Sequence, residues 1–172
     1  MSKGIAIPRE LVVPVVERIT VLLQDRGLIR GNATWMMAGS YRRLCNEVHD
    51  LDLVVADEAY RDVVSALLDA GLEPIRLKKD YSVVGFVWQL EDVPLRIELY
   101  RALPGCFGAE ILYATGSAKH NVLQRARAKA KGMKLSNKGL FQDGKIIAGA
   151  TEEEIFAALG EPYLTPEERD IA

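Results

Sequence analysis

The stretch His49-Asp50-Leu51-Asp52-Leu53-Val54-Val55-Ala56 decides how this chain is understood. Its apolar run predicts a short buried strand over residues 51–56, and on a strand residues i and i+2 project to the same side. Asp50 and Asp52 are therefore expected to converge. Two carboxylates a few ångströms apart repel by roughly 1 to 4 kcal/mol, so a fold that keeps both ionised needs a cation, and Mg²⁺ is the natural one. The alternative is an Asp-x-Asp pair that merely ends a strand beside solvent.

A turn lies upstream of this pair. A strand predicted over residues 34–38 leads into Gly39-Ser40-Tyr41-Arg42-Arg43, which precedes Asp50 by about ten residues. A glycine and a hydroxyl where a turn opens a helix are typical of anion binding, because the free N–H groups there favour negative charge. Together the turn and the two carboxylates indicate metal-dependent chemistry on a phosphate ester, although an ordinary turn with a helix cap is the alternative for the turn alone.

Length and composition exclude several classes of protein. The chain has 172 residues, 49% of them hydrophobic and 27% charged, which predicts one folded domain or two small ones. It has no run of roughly 18 to 20 apolar residues and no signal-peptide pattern, so we expect an intracellular, cytoplasmic protein without membrane association. Cys45 and Cys106 have neither CxxC spacing nor nearby histidines, which argues against a disulfide framework or a zinc site.

Charge is segregated along the chain. The net charge is −2, but residues 117–138 carry seven basic side chains and no acidic one, which leaves −9 for the remainder. A basic stretch beside an acidic pair suits a polyanionic substrate held next to metal ions. The alternative is a solvated, lysine-rich helix face. The basic residues are Lys119, Arg125, Arg127, Lys129, Lys131, Lys134 and Lys138.

Periodicity predicts an α/β (α+β) protein in two parts. In the first part it predicts a helix from Pro8 to near Gly27, a helix capped by Asp57 that runs to Gly71, and a mixed sheet. The strands of that sheet are predicted at 34–38, 51–56, 73–79, 82–90 and 94–100. After Pro104-Gly105 the pattern changes to helices over 106–113 and 117–131, a short β segment around 135–147, and a helix from Thr151 opened by a capping box with Glu154. We therefore predict domains 1–104 and 105–172.

Five motifs in order resemble the signatures of one family. They look like the palm and thumb signatures of the family X DNA polymerases, the polymerase beta group. The resemblance implies a nucleotidyltransferase palm over residues 1–104 and a small, mainly helical thumb over 105–172. It also implies a minimal member, because the chain is too short for the lyase domain and fingers of larger members. The motifs are Gly39-Ser40-Tyr41-Arg42-Arg43, Asp50-Leu51-Asp52, Arg96-Ile97-Glu98, Tyr113-Ala114-Thr115-Gly116-Ser117 with Asn121 and Arg125, and Gly139-Leu140-Phe141.

In the palm, the resemblance implies a metal and nucleotide site. Asp50 and Asp52 would bridge two Mg²⁺ ions, for which Mn²⁺ substitutes, and Glu98 would bind the metal that activates the primer 3′-OH. Most relatives have aspartate in place of Glu98, and the extra methylene is the clearest departure from the family pattern. Ser40 and Arg43, together with Gly39, would bind the nucleotide triphosphate.

In the thumb, the resemblance implies further nucleotide and DNA contacts. Tyr113, Gly116 and Asn121 would contact the nucleotide, and Ala114 replaces a second aromatic residue, so weaker exclusion of ribonucleotides is expected. His120 is expected on the helix surface, and His49 beside the metal site without a ligand role. The predicted DNA-binding residues are Arg96, Arg125, Arg127, Lys129 and Lys131.

The resulting expectation is a DNA-directed DNA polymerase. It would add dNTPs to a primer 3′-OH by two-metal phosphoryl transfer, on gapped or primer-template DNA, as a monomer that fills short gaps in DNA repair. Two alternatives stay open from the sequence. One is a nucleotidyltransferase with a non-DNA acceptor, and the other is a DNA-end-binding module whose site is weakened by Glu98.

Overall fold

The protein was analysed as a computed structural model, which describes residues 5–28, 34–77, 83–90 and 93–170. The strands are β1 (Ile7–Pro8), β2 (Trp35–Met37), β3 (Glu47–Val48), β4 (Leu51–Ala56), β5 (Glu73–Leu77), β6 (Val83–Leu90), β7 (Val93–Ala102), β8 (Met133–Ser136), β9 (Gly139–Gln142) and β10 (Lys145–Ala148). The helices are α1 (Arg9–Asp25), α2 (Gly39–Arg42), α3 (Asp57–Asp69), α4 (Phe107–Thr115), α5 (Ala118–Ala130) and α6 (Glu152–Ala158), and a 3₁₀ turn spans Glu167–Arg169.

A five-stranded mixed sheet forms the first half. Its strand order is β2-β4-β7-β6-β5, with β4 and β7 parallel and the other neighbours antiparallel. The parallel register places Leu51 opposite Ile97 and Asp52 opposite Glu98. This pairing confirms the predicted mixed sheet and brings two acidic residues, distant in sequence, to the centre of the sheet.

Alternation along β7 separates a core face from a polar face. Leu95, Ile97 and Leu99 are fully buried against helices α1 and α3, whereas Glu98 and Tyr100 on the other face are only half-buried. Period-2 alternation on a strand produces this division. The core therefore supports the strand from one side and leaves the acidic face open.

The second half has a core of its own. Helices α4 and α6 pack with a three-stranded antiparallel sheet, β8 to β10, around Leu140, Ile155 and Phe156. The predicted capping box is confirmed, because Thr151 accepts from the Glu154 amide and the Glu154 carboxylate accepts from the Thr151 amide. The β segment expected around 135–147 is thus a complete small sheet beside the helices.

A third apolar cluster joins the two halves. Ala38, Val54 and Ala102 from the first half are buried with Ile111 from α4. Because these side chains exclude water, the start of α2 and the end of β7 are held against α4. The polar groups around this joint form the candidate site.

The start of α3 differs from the prediction. The prediction that Asp57 caps α3 is wrong: the cap position is Ala56, and the Asp57 carboxylate instead pairs with Arg101 of β7. Residues 78–79, 82 and 91–92 of the predicted strands and turn lie outside the described residues.

In the part of the chain that the structure describes, no helix has both the length and the apolar character needed to cross a membrane.

Candidate active site between the two halves

An open cavity of about 1010 Å³ lies where the two halves meet. It is bounded by the turn at α2, the start of β4, and the junction of α4 with α5. Its lining includes residues from three of the five motifs recognised in the sequence, which are separated by up to 86 positions along the chain. Among them are Gly39, Ser40, Arg43, Asp50, Asp52, Tyr113, Ala114, Gly116, Asn121 and Arg125.

Asp50 and Asp52 line one wall of the cavity, and both interact electrostatically with Glu98. Burial, together with the charges of Asp50 and Glu98, raises the pKa of Asp52 from its ordinary value of 3.8 to about 8. Burial and the Glu98 charge also raise the pKa of Asp50, although the nearby Arg96 and His49 oppose this. The protein's own cations thus do not offset the cost of ionising these carboxylates together.

These carboxylates are suited to a hard divalent cation. Carboxylate oxygens are the ligands that Mg²⁺ prefers, and Asp50 and Asp52 both line the cavity. Over the described ranges, however, no three His, Cys, Asp or Glu side chains are arranged as a ready metal site. Glu98 instead accepts a 2.8 Å hydrogen bond from the Tyr100 hydroxyl. The donor chemistry and the unbalanced charge therefore fit a metal, while Glu98 is held by a neighbour.

Gly39 has a second role beside the one implied for the triphosphate. A Cβ atom added at this position would lie 2.1 Å from Asp52 Oδ2, and the backbone has φ of +60°. Only glycine satisfies both conditions at low cost. The absence of a side chain at position 39 makes room for the Asp52 carboxylate.

Arg43 is fixed by both halves of the molecule. Its Nη1 donates to the Thr115 carbonyl at 2.6 Å, and its Nε lies 3.3 Å from Oδ1 of Asp170. Its Nη2 is 3.8 Å from Sγ of Cys45. A guanidinium anchored in this way has few rotamers left, so its positive charge at the cavity wall is preorganised for an anion.

Arg42, the neighbouring residue, belongs to a buried ion network. It makes a two-pronged contact with Glu152, at 3.1 Å to Oε1 and 2.8 Å to Oε2. The fully buried Arg169 donates to the same carboxylate and lies over the rings of Phe156 and Tyr163. Burial alone would raise the pKa of Glu152, but these hydrogen bonds outweigh it and hold that pKa below its usual value. The network ties α2 to α6 and to the segment that follows α6.

The thumb residues line the opposite wall. Asn121 donates from Nδ2 to the Tyr113 carbonyl at 2.7 Å, and Ser117 caps α5 by accepting from the His120 amide. The peptide bond between Gly116 and Ser117 is cis. Tyr113 is exposed at the cavity, where Arg125 also lies. The structure thus gathers Tyr113, Gly116, Asn121 and Arg125 around one space, opposite Gly39, Ser40 and Arg43.

The basic residues predicted to bind DNA differ in their surroundings. Arg96 lies 3.5 Å from Asp50, Arg127 pairs with Glu161 at 2.8 Å, and Lys131 donates to the Leu159 carbonyl. Arg125 and Lys129 are exposed on α5. Arg127 and Lys131 therefore also hold α5 against the segment after α6.

The prediction that His120 lies on the helix surface is wrong. Its side chain is fully buried and stacks on Phe156, with ring centroids 6.1 Å apart. Its Nε2 is 3.3 Å from Nε2 of Gln124, while His120 Nδ1 and Gln124 Oε1 have no hydrogen-bond partner among the described residues. Burial, followed by the charges of Arg169 and Arg127, lowers the pKa of His120 to about 4.

Several residues around the site had no role in the sequence analysis. Glu152 appeared only as the first residue inside the capping box, and Arg169 carried no recognisable signal. Tyr100 lies two positions after Glu98 on the strand predicted at 94–100, and this spacing was the available hint of their contact. Such partners are found through tertiary contacts, because 110 residues separate Arg42 from Glu152.

Comparison with known proteins finds similarity to DNA polymerases. Residues 110–170 match the family described as DNA polymerase beta thumb. The chain is 40% identical over 76 residues to DNA polymerase lambda of Rattus norvegicus, which is 37% of this chain and 13% of that protein. It is 29% identical over 139 residues to the DNA polymerase/3′-5′ exonuclease PolX of Bacillus subtilis, which is 77% of this chain and 24% of that protein.

A fungal DNA polymerase is also similar to this chain. DNA polymerase IV of Saccharomyces cerevisiae is 38% identical over 64 residues, covering 37% of this chain and 11% of that protein. The chain therefore spans no more than about a quarter of the length of these relatives.

Proposed function

This chain belongs to the family X DNA polymerases, and from that premise we propose that it adds a deoxynucleotide to a primer 3′-OH and fills short gaps in DNA. The observation that carries the proposal is the single cavity that brings the turn at α2, Asp50 and Asp52, and the thumb residues of α4 and α5 together. A site for phosphoryl transfer needs these parts side by side: ligands for metal, cations for phosphate, and groups that contact a base pair.

On the palm side, we propose that the three carboxylates bind Mg²⁺. Asp50 and Asp52 would hold two ions, with Glu98 as the third ligand residue, and Mn²⁺ would substitute. When bound, the metals lower the pKa of the attacking 3′-OH and neutralise charge on the triphosphate. Arg43 contributes a fixed guanidinium for a phosphate oxygen, and Ser40 contributes a hydroxyl, both on the wall that includes Asp52.

On the thumb side, the chain's own groups would position the nucleotide and the template. Tyr113 offers an exposed ring for the sugar, and the Asn121 amide would contact the base edge after leaving the Tyr113 carbonyl. Arg125 and Lys129 are exposed on α5 and would bind DNA directly. Arg96, Arg127 and Lys131 would do so by exchanging their present contacts. Ala114, which also lines the cavity, leaves room beside the sugar, so we expect weak discrimination against ribonucleotides.

The domain division supports this assignment. We propose that residues 1–104 act as the palm and 105–172 as the thumb, since each part has its own apolar core and the thumb match begins at residue 110. We further propose that these two small halves, when they alone hold the DNA, synthesise distributively, and that the chain acts as a monomer.

The test is extension of a one-nucleotide-gapped duplex in Mg²⁺ by the whole chain, beside an Asp52→Ala variant. Incorporation by the wild type and none by the variant is expected, and equal incorporation by both would sink the assignment. Running each template base with deoxy- and ribonucleotides measures templating and sugar discrimination together. Binding of gapped DNA without turnover in Mg²⁺ or Mn²⁺ would instead support a DNA-end-binding module, and labelling of protein or RNA alone would support a different acceptor.

A further inference from the structure

The contact between Tyr100 and Glu98 bears on how a glutamate at position 98 can act as a metal ligand, where most of the resembling proteins have aspartate. Both residues project from the same face of β7, two positions apart, and the Tyr100 hydroxyl donates to Glu98 Oε2 at 2.8 Å. Tyr100 also lines the cavity that Asp50 and Asp52 face. The hydroxyl therefore lies at the edge of the acidic group rather than in the core.

We propose that Tyr100 is a positioning residue that orients the Glu98 carboxylate toward a divalent cation held with Asp52. This inference rests on the proposed function, because it concerns the same metal site. Glutamate has one more rotatable bond than aspartate and loses more side-chain entropy when it is fixed. A hydrogen bond from a phenol to one carboxylate oxygen selects a single arrangement in advance and leaves the other oxygen for the metal.

The register of the sheet makes this arrangement specific. Glu98 lies opposite Asp52 on the parallel neighbour β4, so a carboxylate held upright at Glu98 stands next to that of Asp52. An aspartate at position 98 would be shorter by about one C–C bond, roughly 1.5 Å. Such a side chain would lie beyond hydrogen-bond reach of the Tyr100 hydroxyl. The glutamate and the tyrosine thus act as a pair.

The chain supplies a closely matched control. The Tyr60 hydroxyl of α3 donates to the Leu99 carbonyl at 3.3 Å, so it contacts the same strand between Glu98 and Tyr100 but from the core side. Removing that hydroxyl with Tyr60→Phe perturbs β7 without touching the acidic face. Any effect specific to Tyr100→Phe then reports on the acidic face, where the Tyr100 hydroxyl contacts Glu98 and also interacts with Asp52, and not on loss of a tyrosine hydroxyl near the strand.

The experiment is titration of the whole protein with Mn²⁺, followed by the electron paramagnetic resonance signal of the free ion. Partners of metal-binding carboxylates typically change metal affinity by 10- to 100-fold when removed. Tyr100→Phe should therefore weaken Mn²⁺ binding about tenfold, and Tyr60→Phe should leave it unchanged. In a Glu98→Asp background, Tyr100→Phe should have a smaller further effect, because the contact with Glu98 is already lost and only the interaction with Asp52 remains.

Two results would overturn the proposal: wild-type Mn²⁺ affinity in Tyr100→Phe, or additive losses in the double variant. Gap filling is measured on the same samples, where Tyr100→Phe should raise the Mg²⁺ concentration for half-maximal rate and leave the KM for dNTP unchanged. If the wild type binds Mn²⁺ with the expected coupling but does not extend a primer, the proposed function fails while the positioning role stands.

Discussion

Asp52 and Glu98 stand directly opposite each other on the parallel strands β4 and β7, in the middle of the five-stranded sheet. Like charges that are cross-strand neighbours destabilise a sheet. The fold accepts this cost at the position where the apolar face of β7 is best buried, with Leu95, Ile97 and Leu99 fully enclosed. The well-buried apolar face of β7 thus stabilises the strand that carries one member of the repelling pair Asp52 and Glu98.

Asp52→Asn should therefore raise stability while abolishing activity. Burial and the charges of Asp50 and Glu98 oppose ionisation of Asp52, so at pH 7 the fold must bind a proton that the unfolded chain does not hold. Asparagine removes this cost, and we expect the free energy of unfolding in EDTA to rise by about 1 to 3 kcal/mol. Urea denaturation measures the change, and the exposed Asp62→Asn on α3 serves as the control, with less than about 0.5 kcal/mol expected. A destabilised Asp52→Asn variant would contradict the idea that these charges are unbalanced.

Gly39→Ala should disable the site through Asp52. The new Cβ would lie 2.1 Å from Asp52 Oδ2, so the carboxylate must move. We expect kcat/KM for dNTP incorporation to fall at least about tenfold, on the scale of the 1 to 3 kcal/mol that overpacking costs. Gly27→Ala isolates the backbone penalty, because Gly27 has a similar φ of +66° and nothing within 4 Å of the added atom. If Gly39→Ala and Gly27→Ala change kcat/KM by the same factor, the contact between position 39 and Asp52 does not affect activity.

Glu152→Gln should destabilise the whole protein. The substitution leaves the buried Arg169 and the adjacent Arg42 without their anion, and breaking a buried pair typically costs about 3 to 5 kcal/mol. Thermal and urea unfolding measure the loss. Glu153→Gln changes the exposed neighbour on the same helix and should alter the free energy of unfolding by less than about 0.5 kcal/mol. Equal stabilities of the two variants would refute a stabilising network.

Stability should fall in mild acid because of His120. The unfolded side chain takes up a proton near pH 6.5, whereas burial lowers its pKa in the fold to about 4. Protons therefore bind preferentially to the unfolded state between these values, and stability is lost as pH falls from about 6.5 to 4. At roughly 1.4 kcal/mol per pKa unit, the loss is up to about 3 kcal/mol.

The measurement is the free energy of urea unfolding at several pH values for wild type and His120→Gln. The wild type should lose more stability than the variant between pH 6.5 and 4.5, and the two should run parallel above pH 7.5. The variant removes the titration of His120 while leaving the partially exposed His49 in place. Parallel curves over the whole range would show that His120 does not contribute.

Local patterns predicted most of the framework. The apolar run of β4 and the alternation of β7 are properties of consecutive residues, and so is the capping box at Thr151, which is why each was recognisable without a structure. Asp57 shows the limit of such reasoning. It has the chemistry of a helix cap, but Arg101 on a distant strand takes its carboxylate.

Site residues that belong to sequence motifs were predictable, whereas residues that join the site through tertiary contacts were not. Asp50, Asp52 and the residues near Tyr113 were identified by spacing and resemblance, and the cavity gathers them. His120 was expected on the helix surface because the resemblance gave it no role, yet it is buried against Phe156 of α6. Arg169 gives no local sign that its guanidinium is buried beneath two aromatic rings.

The contact between Gly39 and Asp52 also restricts how this chain can change during evolution. Every amino acid other than glycine carries a Cβ or its equivalent, so any replacement at position 39 meets the carboxylate of Asp52. A replacement at position 39 must therefore displace the Asp52 carboxylate and adopt a left-handed backbone, so it disturbs the residue that we propose as a metal ligand. A residue with no functional group of its own thus becomes as hard to replace as the acid beside it.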